Sequence, residues 1–566
     1  MNSSRNAWVA ASLLLGAHAA IAQTCPEEIY GGWTTNLPVG ELLRTEITAT
    51  GADDAFIEVT APTFRFIGAH DKSDQLSGFV YYSQVAYRLA LPKTGDDTWS
   101  GSWSPLPIPD DVVPFDLYFD DDGEGGTGGY LYFRDQRLPS LFGLGARCDG
   151  DTVEFGEMNL GLTFTGTFND ARTVLTTEAA GLGGTVTVTW ERMSEEQQAI
   201  QAGTPELPPR NAGDDAFVDR APGRIDDGWA TASPSAAGLT LEPLDAMVKA
   251  IAGGDLPLAH GVLVAKSGEL VVEEYFYGFG RDTMHDMRSA SKSIASTLVG
   301  LAVDRDLLPG SDARVLDFLD YESYGNWSAA KGEIELRHLM TMSSGLDAND
   351  SDRNSVANEN AFQWQRGQPD WIKFAMDAPM IANPGERIIY GSANPMILAG
   401  VLEEVVDGTV ESFAHEALFG PLGIHNYKIF MRPNDAGVYL GGGMHLTPRD
   451  MLKIGQLYLD GGVWNGERVL SESWISESFD KYGPLEPLDR NGNQYGYLWW
   501  HENYEVGERT IAAVEARGHG GQYIIVVPEL DAVAVLTAGN YGRGLEMTRQ
   551  SQRIFLNYVL PALIVE

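Results

Sequence analysis

Residues 287–296 read MRSASKSIAS, and Ser289 and Lys292 stand three positions apart within this stretch. On a helix, residues at this spacing lie one turn apart on the same face, so the lysine amine can reach the serine hydroxyl. A serine hydroxyl becomes a good nucleophile only when a base removes its proton, and lysine is such a base when burial or a neighbouring cation lowers its pKa. The stretch therefore indicates a candidate nucleophile and its base.

The same S-x-x-K spacing occurs twice more, at Ser328–Lys331 and at Ser478–Lys481. Apolar residues at helical spacing follow only the first pair, which predicts a buried helix with Ser289 at its positive N-terminal end. The second pair lies in the polar segment NWSAAKGE, and the third runs into Tyr-Gly-Pro, which ends a helix. We expect both of these alternatives to be solvated, so that Ser289–Lys292 is the chemical pair.

Two further segments offer the partners that such chemistry needs. Tyr390 shortly precedes Asn394-Pro395, a predicted helix start, so Tyr390 is expected in a loop where side chains are commonly displayed. The segment GHGGQ (518–522) contains His519 and opens a strand whose glycines let a substrate or another backbone approach closely. Taken alone, either segment is more typical of a packed aromatic residue or a plain turn.

The chain from about residue 228 to 560 resembles the serine β-lactamase-like superfamily, which has the penicillin-binding, transpeptidase-like fold. The branch most similar to it contains class C β-lactamases, D-aminopeptidases, esterases and 6-aminohexanoate-oligomer hydrolases. The resemblance rests on motifs that occur in the family's order: MRSASKS (287–293), IELRHLMTMSSGLD (334–347), PGERIIYGSAN (384–394), FGPLGI (419–424), GGGMHLTPRDMLKIGQLYLDGGVWNGE (441–467), YGYLWW (495–500) and GHGGQ (518–522).

The resemblance implies a role for each matching position. Ser289 would be the acylated nucleophile, Lys292 its base, and Tyr390 the residue that carries the proton to the leaving group. The backbone N–H groups of Ser289 and Gln522 would form the oxyanion hole. The implied reaction is a two-step acyl transfer to water that uses no metal and no cofactor.

The same resemblance places Ser392, His519 and Gly521 at substrate-binding positions, and two of these depart from the family pattern. Ser392 stands where the family's Tyr-x-Asn has asparagine, and His519 stands where its Lys-Thr-Gly has lysine. In β-lactamases that lysine helps to hold the substrate carboxylate, whereas a neutral histidine gives up the fixed charge. The departures therefore favour esterase or amide-hydrolase activity over penicillinase activity.

Composition and hydrophobic pattern divide the chain into four parts. Residues 1–22 are predicted to be a signal peptide, because Arg5 is followed by a short apolar run that ends in Ala-Ile-Ala. Residues 23–193 show alternating runs between Gly/Asp/Asn turns, which predicts an all-β domain, either a sandwich or a small barrel. The Pro/Gly/Ala-rich segment 194–235 is predicted to be a linker. Residues 236–566 mix helix and strand patterns, as in an α+β hydrolase domain.

The signal peptide predicts a periplasmic or secreted protein, and no later apolar run is long enough to insert into a membrane. Export makes a disulfide between the two cysteines, Cys25 and Cys148, plausible, and two unpaired thiols are the alternative. The formal net charge of −40 disfavours nucleic acids and anionic membranes as partners. The acidity itself fits a soluble surface, and the sequence does not indicate an oligomeric state.

These observations lead to an expected function, an exported serine hydrolase that acts on an ester or a small amide through an acyl-enzyme on Ser289. Three alternatives keep the mechanism and change the substrate to D-amino-acid peptides, 6-aminohexanoate oligomers or β-lactams. A fourth is a catalytically silent protein that binds cell-wall peptide. The intact set of Ser289, Lys292 and Tyr390 argues against this last alternative.

Overall fold

The computed structural model describes residues 25–51, 56–70, 75–106, 111–121, 126–133, 143–157, 160–201, 209–210, 214–363, 370–433, 436–486, 494–541 and 544–564. The predicted signal peptide, residues 1–22, lies outside them. The chain forms two compact units, residues 1–207 and 208–566, so the boundary falls within the predicted linker. The later part of that linker belongs to the second unit, since Trp229 is buried and Ala230–Thr231 is a strand of its sheet.

The first unit is built around a closed barrel of eight antiparallel strands. Of the two expected all-β architectures, the structure therefore has the barrel. Closure leaves no unpaired strand edge, which removes the main aggregation risk of an antiparallel sheet. In barrel order, the strands are Gly31–Leu37, Thr185–Arg192, Val174–Ala180, Leu162–Phe168, Thr152–Glu157, Gly143–Asp149, Thr127–Phe133 and Val113–Asp121.

Aromatic side chains fill the interior of this barrel. The rings of Phe155 and Phe164 stack at 4.8 Å, and Trp190 meets Phe164 edge-on at 5.6 Å. Trp33 and Trp190 are fully buried, as expected for an eight-stranded barrel whose interior is just wide enough for side chains. The disulfide between Cys25 and Cys148 joins the segment before the first strand to the barrel wall, with a Cα–Cα distance of 5.0 Å.

The other strands of the first unit form small antiparallel groups. Four of them make a meander, and three make a separate ribbon. The meander contains Ile57–Thr60, Arg65–His70, Leu76–Tyr82 and Val85–Leu91, and the ribbon contains Thr45–Thr50, Thr98–Trp103 and Lys93–Gly95. Two short helices are described here, Val39–Leu43 and Glu195–Gln201, with a 3-10 turn at Glu27–Ile29.

The second unit is centred on a nine-stranded sheet that contains strands from both ends of the unit, as the sequence predicted. Both predicted hairpins are confirmed, because Ala259–Lys266 pairs with Glu269–Tyr275, and Gln522–Val527 pairs with Ala532–Ala538. The full order is Ala230–Thr231, Glu269–Tyr275, Ala259–Lys266, Ala532–Ala538, Gln522–Val527, Arg509–Gly518, Trp500–Val506, Gln494–Tyr495 and Gly483–Pro484.

Smaller strands and short turns complete this unit. His285–Asp286 pairs with Met444–Leu446, which also pairs with Tyr427–Phe430. Val463–Trp464 and Glu467–Arg468 form a hairpin. The short 3-10 turns are Arg288–Ser291, Val315–Asp317, Ala329–Glu333 and Pro528–Leu530, and the π turns are His415–Phe419 and Phe555–Val559.

Helices cover both faces of the sheet. On one face, Leu241–Ala252 and the C-terminal helices share an apolar core with the strands. On the other, Pro448–Leu459 packs so closely that a Cβ at Gly455 would lie 2.5 Å from Val533 Cγ1. The α-helices are Leu241–Ala252, Lys292–Asp304, Leu336–Met340, Glu359–Gln363, Trp371–Met376, Ala393–Val405, Val410–Ala414, Pro448–Leu459, Glu472–Ser478, Gly544–Thr548, Gln550–Ile554 and Leu560–Leu563. None of the helices described is long and apolar enough to cross a membrane.

Candidate active site

Ser289 lies in the 3-10 turn Arg288–Ser291, which continues directly into the helix Lys292–Asp304. The residue before it, Arg288, has a φ of +49°, which is unusual for a non-glycine residue and costs about 1–3 kcal/mol. Asp286 holds this conformation, because its Oδ1 accepts from the Arg288 N–H at 2.9 Å and its Oδ2 pairs with Arg288 Nε at 2.8 Å. The candidate nucleophile, Ser289, therefore lies on a strained turn that one buried carboxylate stabilises.

Lys292 reaches Ser289 from the first turn of the helix. Its Nζ donates to Ser289 Oγ at 2.9 Å and also donates to the carbonyl of Gly441. The lysine is only 1% exposed, and burial lowers its pKa below the ordinary value, while the Glu359 and Asp350 carboxylates oppose this shift. Burial thus supplies the condition under which a lysine acts as a base near neutral pH.

Tyr390 completes the group, and its hydroxyl shares a hydrogen bond with Ser289. Lys292 Nζ lies 5.2 Å from the centre of the Tyr390 ring. Burial raises the pKa of Tyr390 well above its usual value, and Asp350 and Glu359 reinforce this effect against the hydrogen bond from Ser289. Tyr390 therefore carries its proton at neutral pH, which suits a proton donor.

The helix after Tyr390 begins two residues earlier than the sequence predicted. Ser392 is its N-cap and Ala393 its first residue, so Asn394 lies inside the helix. The tyrosine ring is held by the YGYLWW segment, with Tyr495 at 6.5 Å and Trp500 at 5.7 Å between ring centres. The aromatic side chains of this motif therefore pack against the ring of Tyr390.

The GHGGQ segment forms the tight end of the hairpin between Arg509–Gly518 and Gln522–Val527. Gly520 and Gly521 have φ values of +84° and +99°, which glycine adopts without strain. A Cβ at Gly518 would lie 2.1 Å from the carbonyl oxygen of Met287, so this strand end lies directly against the nucleophile segment. The hairpin thereby brings Gln522 to the side of Ser289. The N–H of Ser289 lies at the start of a helix, where backbone donors have no partner within the helix.

The Gln522 side chain ties the hairpin to the turn that carries Ser289. Its Nε2 donates to the carbonyl of Ala538 at 2.5 Å and to the hydroxyl of Tyr541 at 3.1 Å. The Tyr541 hydroxyl in turn donates to the carbonyl of Asp286 at 3.0 Å. This chain of bonds fixes the distance between the two residues that are predicted to supply the oxyanion hole.

His519 lies in the same turn with its side chain exposed to solvent. Residual desolvation and the Arg288 guanidinium lower its pKa below the ordinary 6.5, although Glu359 and Asp286 oppose the shift. The imidazole is therefore neutral at pH 7. Gly521 lies two residues after His519, and its carbonyl accepts from Ser551 Oγ at 2.7 Å.

Ser392 is fully buried, and both its N–H and its hydroxyl donate to Asp350 Oδ2, at 2.8 and 2.7 Å. Its hydroxyl is thus directed at a carboxylate of the protein. The substrate contact that the family resemblance implies for Ser392 remains a prediction.

Three residues beside the nucleophile were not identified from the sequence. The first is Gly441, whose carbonyl accepts a hydrogen bond from Lys292. The others are Asp350 and Glu359, whose negative charges raise the pKa of Lys292. The Glu359 Oε1 also accepts from the hydroxyl of Tyr439 at 2.5 Å. The Gly-Gly-Gly motif (441–443) was a weak signal for Gly441. The loop DANDSD (347–352) did not point to Asp350, because an acidic loop usually indicates only a solvated turn.

One residue in each of the other two S-x-x-K pairs, Lys331 and Ser478, is buried, so the expectation that both pairs are solvated was wrong for these residues. Neither arrangement resembles that of Ser289 and Lys292. Lys331 is fully buried, and its Nζ donates to the carbonyls of Gly325, Met376 and Ala378 at 2.8, 2.6 and 2.9 Å. Ser328 Oγ caps the following turn by accepting from the Lys331 N–H at 3.4 Å.

In the third pair, Ser478 is buried at a helix end and Lys481 is exposed. The sequence reasoning missed the burial of Ser478 because the Tyr-Gly-Pro that follows was interpreted as a solvated helix end. Among the described residues, no group of three or more His, Cys, Asp or Glu side chains could hold a metal ion.

Three features define the β-lactamase and penicillin-binding class of serine hydrolases. They are the nine-stranded sheet, the turn with Ser289 and Lys292, and Tyr390 before the helix Ala393–Val405. Consistent with this, the Beta-lactamase family profile matches residues 248–554, which is more than half of the chain. The chain belongs to the β-lactamase family, and the resemblance found in the sequence is confirmed.

Individual relatives are distant. The 6-aminohexanoate-dimer hydrolase of Paenarthrobacter ureafaciens is 26% identical over 288 residues, which cover 48% of this chain and 70% of the relative. A penicillin-binding protein homologue from Caulobacter crescentus matches 59% of this chain and 99% of its own, at 16% identity and a TM-score of 0.46. The hydrolase EstCE1 matches 57% of this chain and 98% of its own, at 16% identity and a TM-score of 0.45.

Proposed function

We propose that this protein is a serine hydrolase that cleaves carboxylic esters or small amides through an acyl-enzyme on Ser289. One observation carries the proposal: Lys292, buried and hydrogen-bonded to Ser289 Oγ at 2.9 Å, has a pKa that burial lowers. A buried lysine bonded to a serine that also shares a hydrogen bond with a tyrosine hydroxyl supports catalysis and argues against a catalytically silent binding protein.

In the proposed acylation step, Lys292 acts as the neutral amine. One N–H remains on the Gly441 carbonyl, and the nitrogen lone pair takes the proton of Ser289 as Oγ bonds to the substrate carbonyl carbon. The carbonyl electrons move to oxygen, and the N–H groups of Ser289 and Gln522 would stabilise this oxyanion. Tyr390 then gives its proton to the leaving oxygen or nitrogen as that bond breaks, and it regains a proton from Lys292.

Deacylation is proposed to reverse these roles. A water molecule loses its proton to the Lys292–Tyr390 pair and attacks the acyl carbon. The bond to Ser289 Oγ breaks, the serine regains its proton, and the carboxylic acid leaves. Since the pKa of Tyr390 is raised, the tyrosine is a proton carrier here and does not act as a standing phenolate base.

The charge of the site supports substrates that lack a carboxylate near the scissile bond. The position that holds a substrate carboxylate in β-lactamases carries the neutral His519, and two carboxylates, Asp350 and Glu359, lie near Lys292. A carboxylate-bearing β-lactam would therefore lack the lysine cation that the family offers at this position, and the two carboxylates near Lys292 would disfavour it further. We rank β-lactams below esters and small amides for this reason.

A second candidate is an amide whose acyl or amine part carries an ammonium group, such as an aminohexanoate oligomer. Glu359 favours it, because a half-buried carboxylate that influences both Lys292 and His519 suits a cationic substrate group. The distant relative described as a 6-aminohexanoate-dimer hydrolase points in the same direction. The variant Glu359→Gln should raise the KM for such amides while leaving the KM for neutral esters unchanged.

We further propose that the protein is exported to the periplasm or the medium. The apolar run before residue 22 and the Cys25–Cys148 disulfide are both consistent with an oxidising compartment.

The substrate proposal is tested with purified protein on a panel of p-nitrophenyl esters, D-amino amides, aminohexanoate dimer and nitrocefin. Ester hydrolysis that disappears in Ser289→Ala is the expected result. Faster turnover of nitrocefin than of any ester would refute the ranking.

A further inference from the structure

Asp350 contacts both residues that flank Gly391, and it does so through different groups. Its backbone N–H donates to the carbonyl of Tyr390 at 3.0 Å, while its carboxylate accepts both bonds from Ser392. The two segments lie in very close contact, since a Cβ at Gly391 would fall 1.8 Å from the carbonyl oxygen of Ala348. The loop that contains Asp350 therefore binds the chain on both sides of Gly391.

We propose that Asp350 is a positioning residue that orients the Tyr390 hydroxyl on Ser289 and sets the electrostatic environment of Lys292. This inference rests on the proposed function of the site and extends it. In the family pattern the residue two after the tyrosine is an asparagine, whereas here Ser392 delivers a carboxylate to the same place.

The surroundings of Asp350 suit this role. The carboxylate lies near Lys292, Glu359 and the hydroxyl of Ser392, and its Oδ1 also accepts from the Glu359 N–H at 2.8 Å. Around the same cluster lie the hydroxyls of Tyr390 and Tyr439, and His519 faces Glu359 from the hairpin. The cationic residues near this group are Lys292 and Arg288, which acts on His519, and the charge of Asp350 acts on Lys292.

The direction of that effect follows from the signs of the charges. An ionised Asp350 favours the protonated form of Lys292 and so opposes the lowering of the lysine pKa by burial. Without the Asp350 charge, Lys292 loses its proton at lower pH. The acid limb of the activity profile, which reports the loss of that proton, should then move to lower pH.

The test uses Asp350→Asn, with Asp352→Asn as the matched control in the same loop. Asp352 is exposed, and within the described ranges its side chain bonds only to Asn354, at 2.9 Å to the N–H. We expect Asp350→Asn to lower kcat roughly 100-fold on p-nitrophenyl butyrate, because a misplaced catalytic group costs about that factor. We also expect an acid limb at lower pH and an unchanged KM, whereas Asp352→Asn should behave like the parent protein.

A second variant, Ser392→Ala, covers the case in which Asp350→Asn fails to fold. It removes one of the two bonds from Ser392 and keeps the backbone bond, so we expect a smaller loss in kcat of about 10-fold. A kcat that is unchanged in either folded variant would overturn the proposal. A lower kcat in Asp350→Asn with an unmoved acid limb would show a merely structural role and would overturn it as well.

The rate of labelling of Ser289 by a fluorophosphonate, measured against pH, separates this inference from the proposed function. The reagent reports the activation of Ser289 and requires no natural substrate. If the parent protein hydrolyses no ester or amide but labels rapidly, the proposed function fails while the role of Asp350 remains testable. If labelling has the same rate and the same pH dependence in Asp350→Asn, the Asp350 inference fails independently.

Discussion

The amine of Lys292 lies 2.9 Å from the hydroxyl oxygen of Ser289, and the lysine is only 1% exposed. No other S-x-x-K pair in the described parts of the chain has this relationship, since Lys331 is directed at three carbonyls and Lys481 is exposed. The Ser289–Lys292 contact is thus the structural basis of the proposed chemistry.

Replacing Lys292 and Lys331, the two buried lysines of S-x-x-K pairs, by methionine should separate chemistry from stability. Lys292→Met should lower kcat at least ~1,000-fold, because the base is lost, while the melting temperature stays the same or rises. Lys331→Met should keep the kcat of the parent protein and lose roughly 3 kcal/mol of stability, because three buried carbonyls lose their donor. Steady-state kinetics and thermal unfolding of both variants check this contrast. The reverse pattern would reassign the base to Lys331.

Tyr390→Phe should show a dependence on the leaving group. A p-nitrophenolate departs without a proton, whereas an alkoxide or an amine needs one, so the loss of the tyrosine hydroxyl should be most severe for alkyl esters and amides. For these we expect a decrease of about 100-fold or more, with a clearly smaller decrease for p-nitrophenyl esters. The control is Tyr495→Phe, which keeps the ring that contacts Tyr390 at 6.5 Å. Equal losses on all substrates in Tyr390→Phe would refute the role as a proton donor.

The close approach of the hairpin to the nucleophile segment makes Gly518 sensitive to any side chain. A Cβ there would meet the Met287 carbonyl oxygen at 2.1 Å, so Gly518→Ala must move either the strand end or the turn that carries Ser289. We expect a loss of roughly 2–3 kcal/mol in stability together with a lower kcat. Gly280→Ala, at a position with no atom within 4 Å of the added Cβ, should change neither quantity. Chemical denaturation and kinetics compare the two variants.

The burial of Asp350 should make stability depend on pH in an unusual direction. Burial, followed by the Glu359 charge, raises the pKa of Asp350 from 3.8 to about 6. The stability that this group contributes is present below its unfolded pKa near 3.8 and is lost as the pH rises through about 6.

Asp350→Asn should therefore unfold at the same or a higher temperature than the parent protein at pH 7, and this advantage should disappear near pH 4. Thermal unfolding across this pH range checks the sign. A variant that is much less stable at pH 7 and equally stable at pH 4 would contradict the assigned pKa shift.

The sequence predicted the features of the site that depend on local spacing. Ser289 and Lys292 are one helical turn apart, so their contact follows from the helix alone. The hairpins around Ser267 and Asp531 were also recognisable, since each joins two apolar runs through a short turn. The helical patterns between the two hairpins predicted that strands from both ends share one sheet, but the order of strands in it was not predicted.

The features that the sequence did not predict depend on long-range contacts. Gly441 and Asp350 reach the site from about 150 and 60 residues beyond Ser289, and nothing in their local sequence distinguishes them from ordinary turns. Lys331 lies in a polar segment, so its burial could not be recognised. The choice between a sandwich and a barrel was also open, because both architectures produce the same alternation along a strand.

The central claim is that Ser289 is the nucleophile activated by Lys292, and mass spectrometry of the fluorophosphonate-treated protein tests it most directly. The account predicts one covalent adduct on the peptide that contains Ser289, absent in Ser289→Ala and strongly reduced in Lys292→Met. Hydrolysis of p-nitrophenyl butyrate should be lost in parallel. An adduct on Ser328 or Ser478, or full ester hydrolysis by Ser289→Ala, would contradict the account.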